Sequence, residues 1–324
     1  MANNLKLTIM ELDGEGGCKK VDPLKFKEPK RSNKVLWIDF DHTDIAARDW
    51  IRKHIEIVDV PLMKMMSALE TRPRSLLHHD KFFLILRGMN YNPSADPDDM
   101  VSLRIFIGEH IILTAHKRAL NSVTEMLKQY KANTGPDDIG GFLVGLANFV
   151  TDGISEFVCK LDDDIDVVED QLENSKPREI RPKVAEIRRQ TIKLRRYLIP
   201  QRDALTRIQS DKISWLEDSD RVQLREASDS TIRLIEDLDA AKDRTTVTQE
   251  TIMDRTSEEL NSRMYVLSVV AVIFMPLSFV TGLLGINVAG IPGSTYKLAF
   301  LIVCVALGLL GLFEIWFLKF KKWM

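Results

Sequence analysis

The stretch MYVLSVVAVIFMPLSFVTGLLGI, Met264 to Ile286, decides the architecture of this chain. A second apolar run, LAFLIVCVALGLLGLFEIWFL, follows at Leu298 to Leu318. Each run is close to the ~20 residues that a helix needs to cross a bilayer, and each is apolar on all faces. Because a helix satisfies its own backbone where there is no water, we predict two transmembrane helices, 264–286 and 298–318. The alternative is a buried helical hairpin in a soluble domain.

The rest of the chain is polar. Of its 324 residues 28% are charged, the net charge is −2, and residues 1–263 hold most of the charges. No signal-peptide pattern opens the chain, so we expect this part to stay in the cytoplasm. The tail 319–324 carries three lysines and the loop 287–297 only Lys297, a bias that predicts cytoplasmic termini and an external loop. Three cysteines without a CxxC pair fit a reducing compartment and argue against a zinc ribbon.

Residues 1–135 show the pattern of a mixed α/β domain. Four short runs rich in β-branched and aromatic residues, KVLWIDF, FFLILRG, VSLRIFI and HIILTAH, predict strands. TDIAARDWIRKHI and KRALNSVTEMLKQYK between them have helical periodicity. The fold class expected is α+β, an α/β/α sandwich with a mixed sheet. NTGPDDIGG, residues 133–141, is the candidate boundary.

Residues 136–263 are predicted to be helical. One helix precedes NSKPREIRP, where Pro177 and Pro182 are expected to stop it, and a second begins at Lys183. A long stalk helix is expected from about Asp218, and no Pro or Gly interrupts the chain from Gln201 to Pro276, so it can run into the first apolar span.

The stalk helix carries a seam of positions that alternate by three and four residues, the period of helix packing on helix. Because the seam mixes large with small and hydroxylated residues, we predict a loose, wide bundle with a wet centre. The seam positions are Leu224, Ala227, Thr231, Leu234, Leu238, Ala241, Thr245, Thr248 and Ile252.

One stripe of the first span collects most of its polar and small residues at helical spacing. This pattern indicates either close helix–helix packing or the lining of a pore built from several copies. The stripe comprises Asn261, Met264, Ser268, Ala271, Met275, Ser278 and Gly282. A polar Asn near each end, Asn261 and Asn287, favours the pore. Glu250 lies about three turns before Asn261 on the same face of the helix. In several copies of the chain it would form a ring of carboxylates that attracts cations to the inner mouth. The alternative is that it is an ordinary solvated residue.

The end of this span, IFMPLSFVTGLLGIN, resembles the CorA superfamily of divalent-cation transporters, whose signature there is Gly-Met-Asn. Ile286 replaces the methionine, as the ZntB branch of bacterial zinc transporters tolerates. GIPG after the motif, TRPR at 71–74, TGPDDIGG at 134–141 and RRYLIPQRD at 195–203 are also similar to that branch. The resemblance therefore extends over nearly the whole chain.

This resemblance implies a funnel-shaped homopentamer in the bacterial inner membrane, with the stalk helices continuing as pore-lining spans. Gly285, Ile286 and Asn287 would form the external selectivity mouth, where Asn287 contacts a hydrated cation. Constrictions at Met264, Leu267 and Met275 would be apolar, and those at Asn261 and Ser278 polar. Zn²⁺ and Mg²⁺ lose water reluctantly, so amide oxygens that accept hydrogen bonds from the hydration shell suit them.

The loop after the motif departs from many magnesium-type members, because VAGIPGSTYK contains no acidic residue. This favours zinc transport, which the resemblance implies to be uptake coupled to the proton gradient. Cd²⁺, Ni²⁺, Co²⁺ and Mg²⁺ remain candidate ions. The alternatives are a magnesium, cobalt or nickel channel of the CorA type, or a membrane-anchored coiled-coil scaffold that transports nothing. No enzyme motif, cofactor or nucleic-acid partner is expected.

Three further features have open roles. The six histidines all lie in the first 116 residues, and His110 and His116 flank a strand, too far apart to share a metal. The acidic run 162–173 is either a solvated helix face or a regulatory, cation-attracting surface. Glu314, inside the second span, either reaches the interface or pairs with Lys319, or acts as a proton relay.

Overall fold

Short apolar runs in the first 116 residues pair into one sheet, and long amphipathic segments after them form helices. The computed structural model describes residues 5–26, 34–69, 71–78, 81–286, 293 and 296–321, without the side chains of Glu173 and Asn174. The chain divides into two compact units, Met1–Gln249 and Glu250–Met324. The predicted boundary near residue 135 therefore marks a change from sheet to helices inside the first unit.

Within the described part of the first unit, the strands are β1 Leu7–Leu12, β2 Cys18–Val21, β3 Val35–Asp41, β4 Arg74–His78, β5 Lys81–Gly88, β6 Val101–Gly108 and β7 Ile111–His116. The helices of the chain are α1 Ile45–His54, α2 Val60–Ser67, α3 Asn121–Lys131, α4 Ile139–Asn174, α5 Pro177–Ser210, α6 Asp218–Leu284 and α7 Ala299–Phe320. The four predicted strands are present, while β1, β2, β4 and α2 were not predicted.

The sheet has the order β2-β1-β3-β7-β6-β5-β4. Its central neighbours β3 and β7 run parallel, with Ile38 opposite Leu113, and the other described neighbours are antiparallel. The predicted mixed sheet is therefore confirmed. A parallel pair needs a long crossover connection, which here contains α1, α2 and the β4–β6 meander.

Helices cover both faces of this sheet. On one face α1 and α2 bury Ile51 and Met66 against Ile38 and Phe106 in a common hydrophobic core. On the other face the Trp37 ring lies 5.1 Å from the Phe142 ring of α4, centroid to centroid. The structure therefore has the expected three layers, because the residues of each strand alternate between two apolar faces that must both be covered.

The break between α4 and α5 is shorter than predicted. α4 ends at Asn174, and α5 begins at Pro177, which occupies the first turn, where its missing N–H costs nothing. Pro182 lies inside α5, so the prediction that it stops a helix is wrong. Burial of Ile180, Val184 and Ile187 on one face of α5 outweighs the hydrogen bond that this proline removes.

The start of α4 lies close to the start of α6. Asp138 caps α4 by accepting a hydrogen bond from the Gly141 backbone N–H at 2.7 Å. A Cβ on Gly140 would overlap the carboxylate of Asp220 in its present position, so the Asp220 side chain of α6 lies directly against the start of α4. The boundary sequence NTGPDDIGG thus forms the N-terminal end of a packed helix, not a linker between domains.

The seam of α6 is buried within a single chain from Leu224 to Thr248. α5 packs against this segment, with the Thr206 and Ser228 hydroxyl oxygens 2.9 Å apart. The Thr231 hydroxyl donates to the Ala227 carbonyl oxygen at 2.8 Å, so it needs no water. The prediction of a wet bundle is wrong for this segment, because small seam residues permit close packing on the chain's own helices.

α4 is also apolar and long enough to cross a membrane by length and composition alone. The window that meets this criterion is 56% buried inside the protein, against 0% for α6 and 6% for α7. The apolar face of α4 packs on the sheet. Among the described helices, α6 and α7 therefore have exposed apolar segments, and these segments are the two predicted spans.

Part of the acidic run in α4 binds one cationic side chain of α6. Arg244 donates hydrogen bonds to Asp162 Oδ1 at 2.7 Å and Glu169 Oε2 at 2.6 Å, and also to Asp166. These carboxylates, Glu169 foremost, raise the pKa of Arg244 above its usual value. Residues 162, 166 and 169 share one face of α4, so this face serves helix packing.

We predict that Arg244→Met lowers the stability of the first unit by about 1–2 kcal/mol, because three carboxylates lose their shared partner at a half-exposed site. The thermal midpoint of the detergent-purified protein should fall by roughly 2–6 °C. Arg233→Met is the control, since Arg233 donates to Ser230 within the same helix at 2.7 Å. Equal midpoints for the two variants would contradict a role of Arg244 in holding α6 on α4.

Candidate functional site

The polar and small stripe of α6 is exposed along its full described length. Its residues Asn261, Met264, Ser268, Ala271, Met275, Ser278 and Gly282 are all exposed in the single chain, and so is Leu267, one position off the stripe. The large apolar side chains here lack intrachain cover, with Met264 at 61%, Leu267 at 67% and Met275 at 71% exposure. Chains avoid leaving such side chains in water, so this face needs lipid or other protein against it.

The opposite side of α6 packs on α7. Val269, Ile273, Pro276, Leu277 and Val280 are the half-buried residues of the apolar segment. The Leu277 side chain would lie 3.9 Å from a Cβ on Gly311 of α7. At 100° per residue the centre of this half-buried face lies roughly 165° around the helix from the centre of the stripe.

The separation of the two faces excludes one form of the packing interpretation, in which the stripe would contact the second apolar helix of the same chain. Its small residues do not serve packing between the two apolar helices of one chain, because α7 covers the other side of α6. Contacts of the stripe with further copies of the chain, around a pore or without one, are compatible with this geometry.

Hydrogen bonds within α6 satisfy the hydroxyl groups near the stripe. The Ser268 hydroxyl donates to the Met264 carbonyl oxygen at 2.8 Å. The Thr281 hydroxyl lies 3.0 Å from the carbonyl oxygens of Leu277 and Ser278. Their hydroxyl oxygens still have lone pairs that can accept a hydrogen bond from a water molecule.

The predicted mouth is described only at its start. α6 ends at Leu284, and the Gly285 N–H donates to the Thr281 carbonyl oxygen at 2.9 Å. Ile286 is exposed at 49%. Asn287 and the residues that follow it to 292 lie outside the described residues, so its role at the mouth stays a prediction. Glu250, at the other end of the predicted surface, is exposed on α6.

Glu314 lies on the side of α7 that faces α6. It is half-buried, and its Oε2 atom is buried without a hydrogen-bond partner. Lys319 is exposed, and in the described part of the chain no ion pair joins it to Glu314. The predicted pairing is therefore absent here. This contact face comprises Val303, Leu307, Leu310, Glu314 and Leu318, spaced by three and four, and the sequence alone did not show it because α7 is apolar on all sides.

Two histidines of the first unit, His116 and His42, belong to its packing. His116 Nε2 lies 3.1 Å from Asp39 Oδ1, and Asp39 accepts a hydrogen bond from Thr114 at 2.6 Å. Burial opposes the charged form of His116, but its hydrogen bond to the Asp39 carboxylate raises the pKa of His116 above its ordinary value. Burial, with the positive charge of Arg104, lowers the pKa of His42 to about 4.

Among the described side chains, no group of three or more His, Cys, Asp or Glu residues could hold a metal ion. His79 lies outside the described residues. The candidate surface is thus the stripe of α6 together with the mouth that follows it.

A mixed-sheet unit, a 67-residue helix that ends in an apolar segment and a second apolar helix define the class of this protein. The chain belongs to the CorA-like Mg²⁺ transporter family, whose model matches residues 32–322. The family predicted from the sequence is confirmed.

Particular relatives cover almost the whole chain. The zinc transport protein ZntB of Pectobacterium atrosepticum is 36% identical over 315 residues, 97% of this chain and 94% of that protein. The divalent cation transporter CmaX of Pseudomonas aeruginosa is 32% identical over 319 residues, with 97% and 95% covered. The structure of the full-length CmaX protein matches with a TM-score of 0.84 at 30% identity, over 100% of this chain and 99% of that one.

The arrangement of faces on α6 predicts which positions water reaches in the membrane-embedded protein. In a background with Cys18, Cys159 and Cys304 replaced, single cysteines at Ser268 and Ser278 should react rapidly with a charged, membrane-impermeant thiol reagent. A cysteine at Ile273 should react far more slowly, because α7 covers it. Reaction at Ser268 and Ser278 as slow as the reaction expected at Ile273 would contradict water access to the stripe.

Proposed function

We propose that this protein moves Zn²⁺ across the bacterial inner membrane through a central pore lined by α6 from five copies of the chain. The observation that carries this proposal is the position of the stripe, exposed and roughly 165° from the face that packs on α7. In a ring of five, α7 then lies outside and the stripe faces the axis. The relative at 36% identity is a zinc transport protein.

The position of the bilayer is inferred from the two apolar segments and from the charged and aromatic residues beside them. Residues 264–286 and 298–318 cross the bilayer, and the loop 287–297 lies outside. Tyr265 and Trp316 are exposed at 45% and 58%, and the Trp316 ring lies 5.5 Å from that of Phe320. Aromatic side chains with this exposure suit the boundary between hydrocarbon and water. Both termini, with Lys319 and Lys321 near the second span, lie on the cytoplasmic side.

The pore chemistry follows from the order of side chains along the stripe. Asn261 and Ser278 form polar rings that can exchange hydrogen bonds with a cation's water shell. Rings of Met264, Leu267 and Met275 form narrow apolar sections that can gate by losing their water. Asn287 completes the mouth, with Gly285 and Ile286 at the end of α6. A ring of Glu250 carboxylates concentrates cations at the inner end.

We propose zinc rather than magnesium because the external loop offers no cluster of acidic residues to attract the entering cation. Residues 288–297 contain no Asp or Glu and include Lys297. Zn²⁺ passes as a hydrated ion, inward and coupled to protons. Cd²⁺, Ni²⁺ and Co²⁺ are further candidate ions, as the broader substrate of the divalent cation transporter CmaX suggests. We propose no enzymatic activity.

The function is tested by zinc flux into liposomes. The purified protein, reconstituted with a zinc-sensitive dye inside, should admit Zn²⁺ faster than protein-free liposomes, and more so when the Zn²⁺ side is acidic. Asn287→Ala should slow this flux about tenfold or more, because each copy loses one hydrogen bond to the hydrated cation.

The matched control is Asn261→Ala, which removes an amide at the inner end and leaves the mouth intact. It should slow flux less than Asn287→Ala does. Absence of flux for every divalent cation under either pH gradient would reject the transport proposal. Flux of Asn287→Ala equal to that of the unaltered protein would remove only the role of the mouth amide.

The oligomeric state gives an independent prediction. Native mass spectrometry of the detergent-purified chain should give five copies of the 37.0 kDa protein. Five copies are expected because the resemblance to CorA-type transporters implies a pentamer around the axis. A mass of one or two chains would exclude a central pore lined by α6.

A further inference from the structure

Glu314 is the one ionisable acid within the two apolar segments. Residues 264–286 contain no Asp, Glu, Lys, Arg or His, and residues 298–318 contain only Glu314. An ionisable side chain in such a segment is rare, because the charged form is costly away from water. Its presence in α7 therefore calls for a specific partner or a specific use.

Glu314 faces the neighbouring helix and has no described partner. It is half-buried with Gly311 and Leu310 one turn before it on the same face, and with the buried Leu318 one turn after it. Gly311 contacts Leu277 of α6, which fixes this face of α7 against α6. The Oε2 atom of Glu314 is fully buried and makes no hydrogen bond.

Among the described residues of α6 and α7, no charged group pairs with a negative charge at this place. The stretch of α6 between Val266 and Leu284, against which Glu314 packs, has no titratable side chain. On α7 the nearest titratable groups are Cys304 and Lys319, ten residues before and five after, and Lys319 is exposed. An unpaired carboxylate in an apolar contact is far more costly than a neutral side chain of the same shape.

We propose that Glu314 is a proton-binding site whose protonation controls the packing of α7 on α6. The carboxylate takes up one proton to become the neutral acid when the helices pack as described here. It releases that proton when the contact loosens and water reaches the side chain. This inference rests on the proposed transport function, because the proton would be the one coupled to zinc movement.

The geometry explains how such a proton acts on the pore. Glu314 contacts the side of α6 that lies away from the stripe, so a change in the contact moves or rotates the helix that lines the pore. A ligand shifts an equilibrium between two arrangements only by binding one of them better. The proton meets this condition, since the packed arrangement favours the neutral acid and the loosened one favours the carboxylate.

Two measurements on the full-length protein in liposomes test the proposal. In infrared difference spectra between acid and neutral pH, other Asp and Glu side chains also contribute carboxylic C=O absorption on acidification, so the Glu314 band is the part of that absorption that should be lost in Glu314→Gln. Zinc flux of the unaltered protein should depend on pH by up to tenfold per pH unit for one linked proton. Glu314→Gln, which imitates the neutral acid, should carry zinc with that dependence lost.

Controls separate a proton site from a structural residue. Glu258→Gln removes an exposed carboxylate of α6 outside the apolar segment and should keep both the infrared band and the pH dependence. Glu314→Asp keeps a carboxyl group, so it should retain a pH response with a displaced midpoint. This second variant also decides the question if Glu314→Gln fails to assemble.

Each contrary outcome has a distinct meaning. A pH response of Glu314→Gln equal to that of the unaltered protein overturns the coupling role of Glu314. Carboxylic absorption on acidification that is equal in Glu314→Gln and the unaltered protein overturns the proton site itself. Absence of zinc flux from the unaltered protein rejects the proposed function instead, while the infrared titration still decides whether Glu314 binds a proton.

Discussion

The contact between α6 and α7 is the constraint on which the candidate site depends. A helix with apolar residues on all sides has no preferred partner by composition, so the fit of side chains decides which face meets its neighbour. Leu277 lies against Gly311 of α7, and the branched residues Val269, Ile273 and Val280 are half-buried on the same face of α6. The polar and small residues are left on the other side, the arrangement a shared pore needs.

The part of α6 that belongs to the first unit is held by different interactions. Its seam of Leu, Ala and Thr residues packs closely on α5, because threonine hydroxyls are satisfied by carbonyl oxygens of their own helix. Arg244 adds charged hydrogen bonds to α4, which convert part of an acidic surface into a helix contact. One continuous helix therefore uses ion pairs and small-residue packing in its first part and apolar contacts with α7 in its last.

Sequence patterns predicted the elements with strong periodicity and missed the weaker ones. β3, β5, β6 and β7 were predicted because they are continuous apolar runs, as buried central strands are. β2 was missed because CKKV exposes two lysines at a sheet edge, and β4 because RSLLH is short and half exposed. Pro182 was taken for a helix stop because local propensity cannot weigh the buried face of α5.

The sequence by itself determined the family, the two apolar segments and the stripe of α6, because motifs, apolar runs and helical spacing can all be read from the order of residues along the chain. Only the tertiary structure decided what each face contacts. It showed that the α6 seam packs within the chain, that Arg244 binds the acidic run, and that the stripe lies away from α7 while Glu314 faces α6. The physical reason is that periodicity shows which residues share a face, whereas the partner of that face is set by close packing between distant parts of the chain.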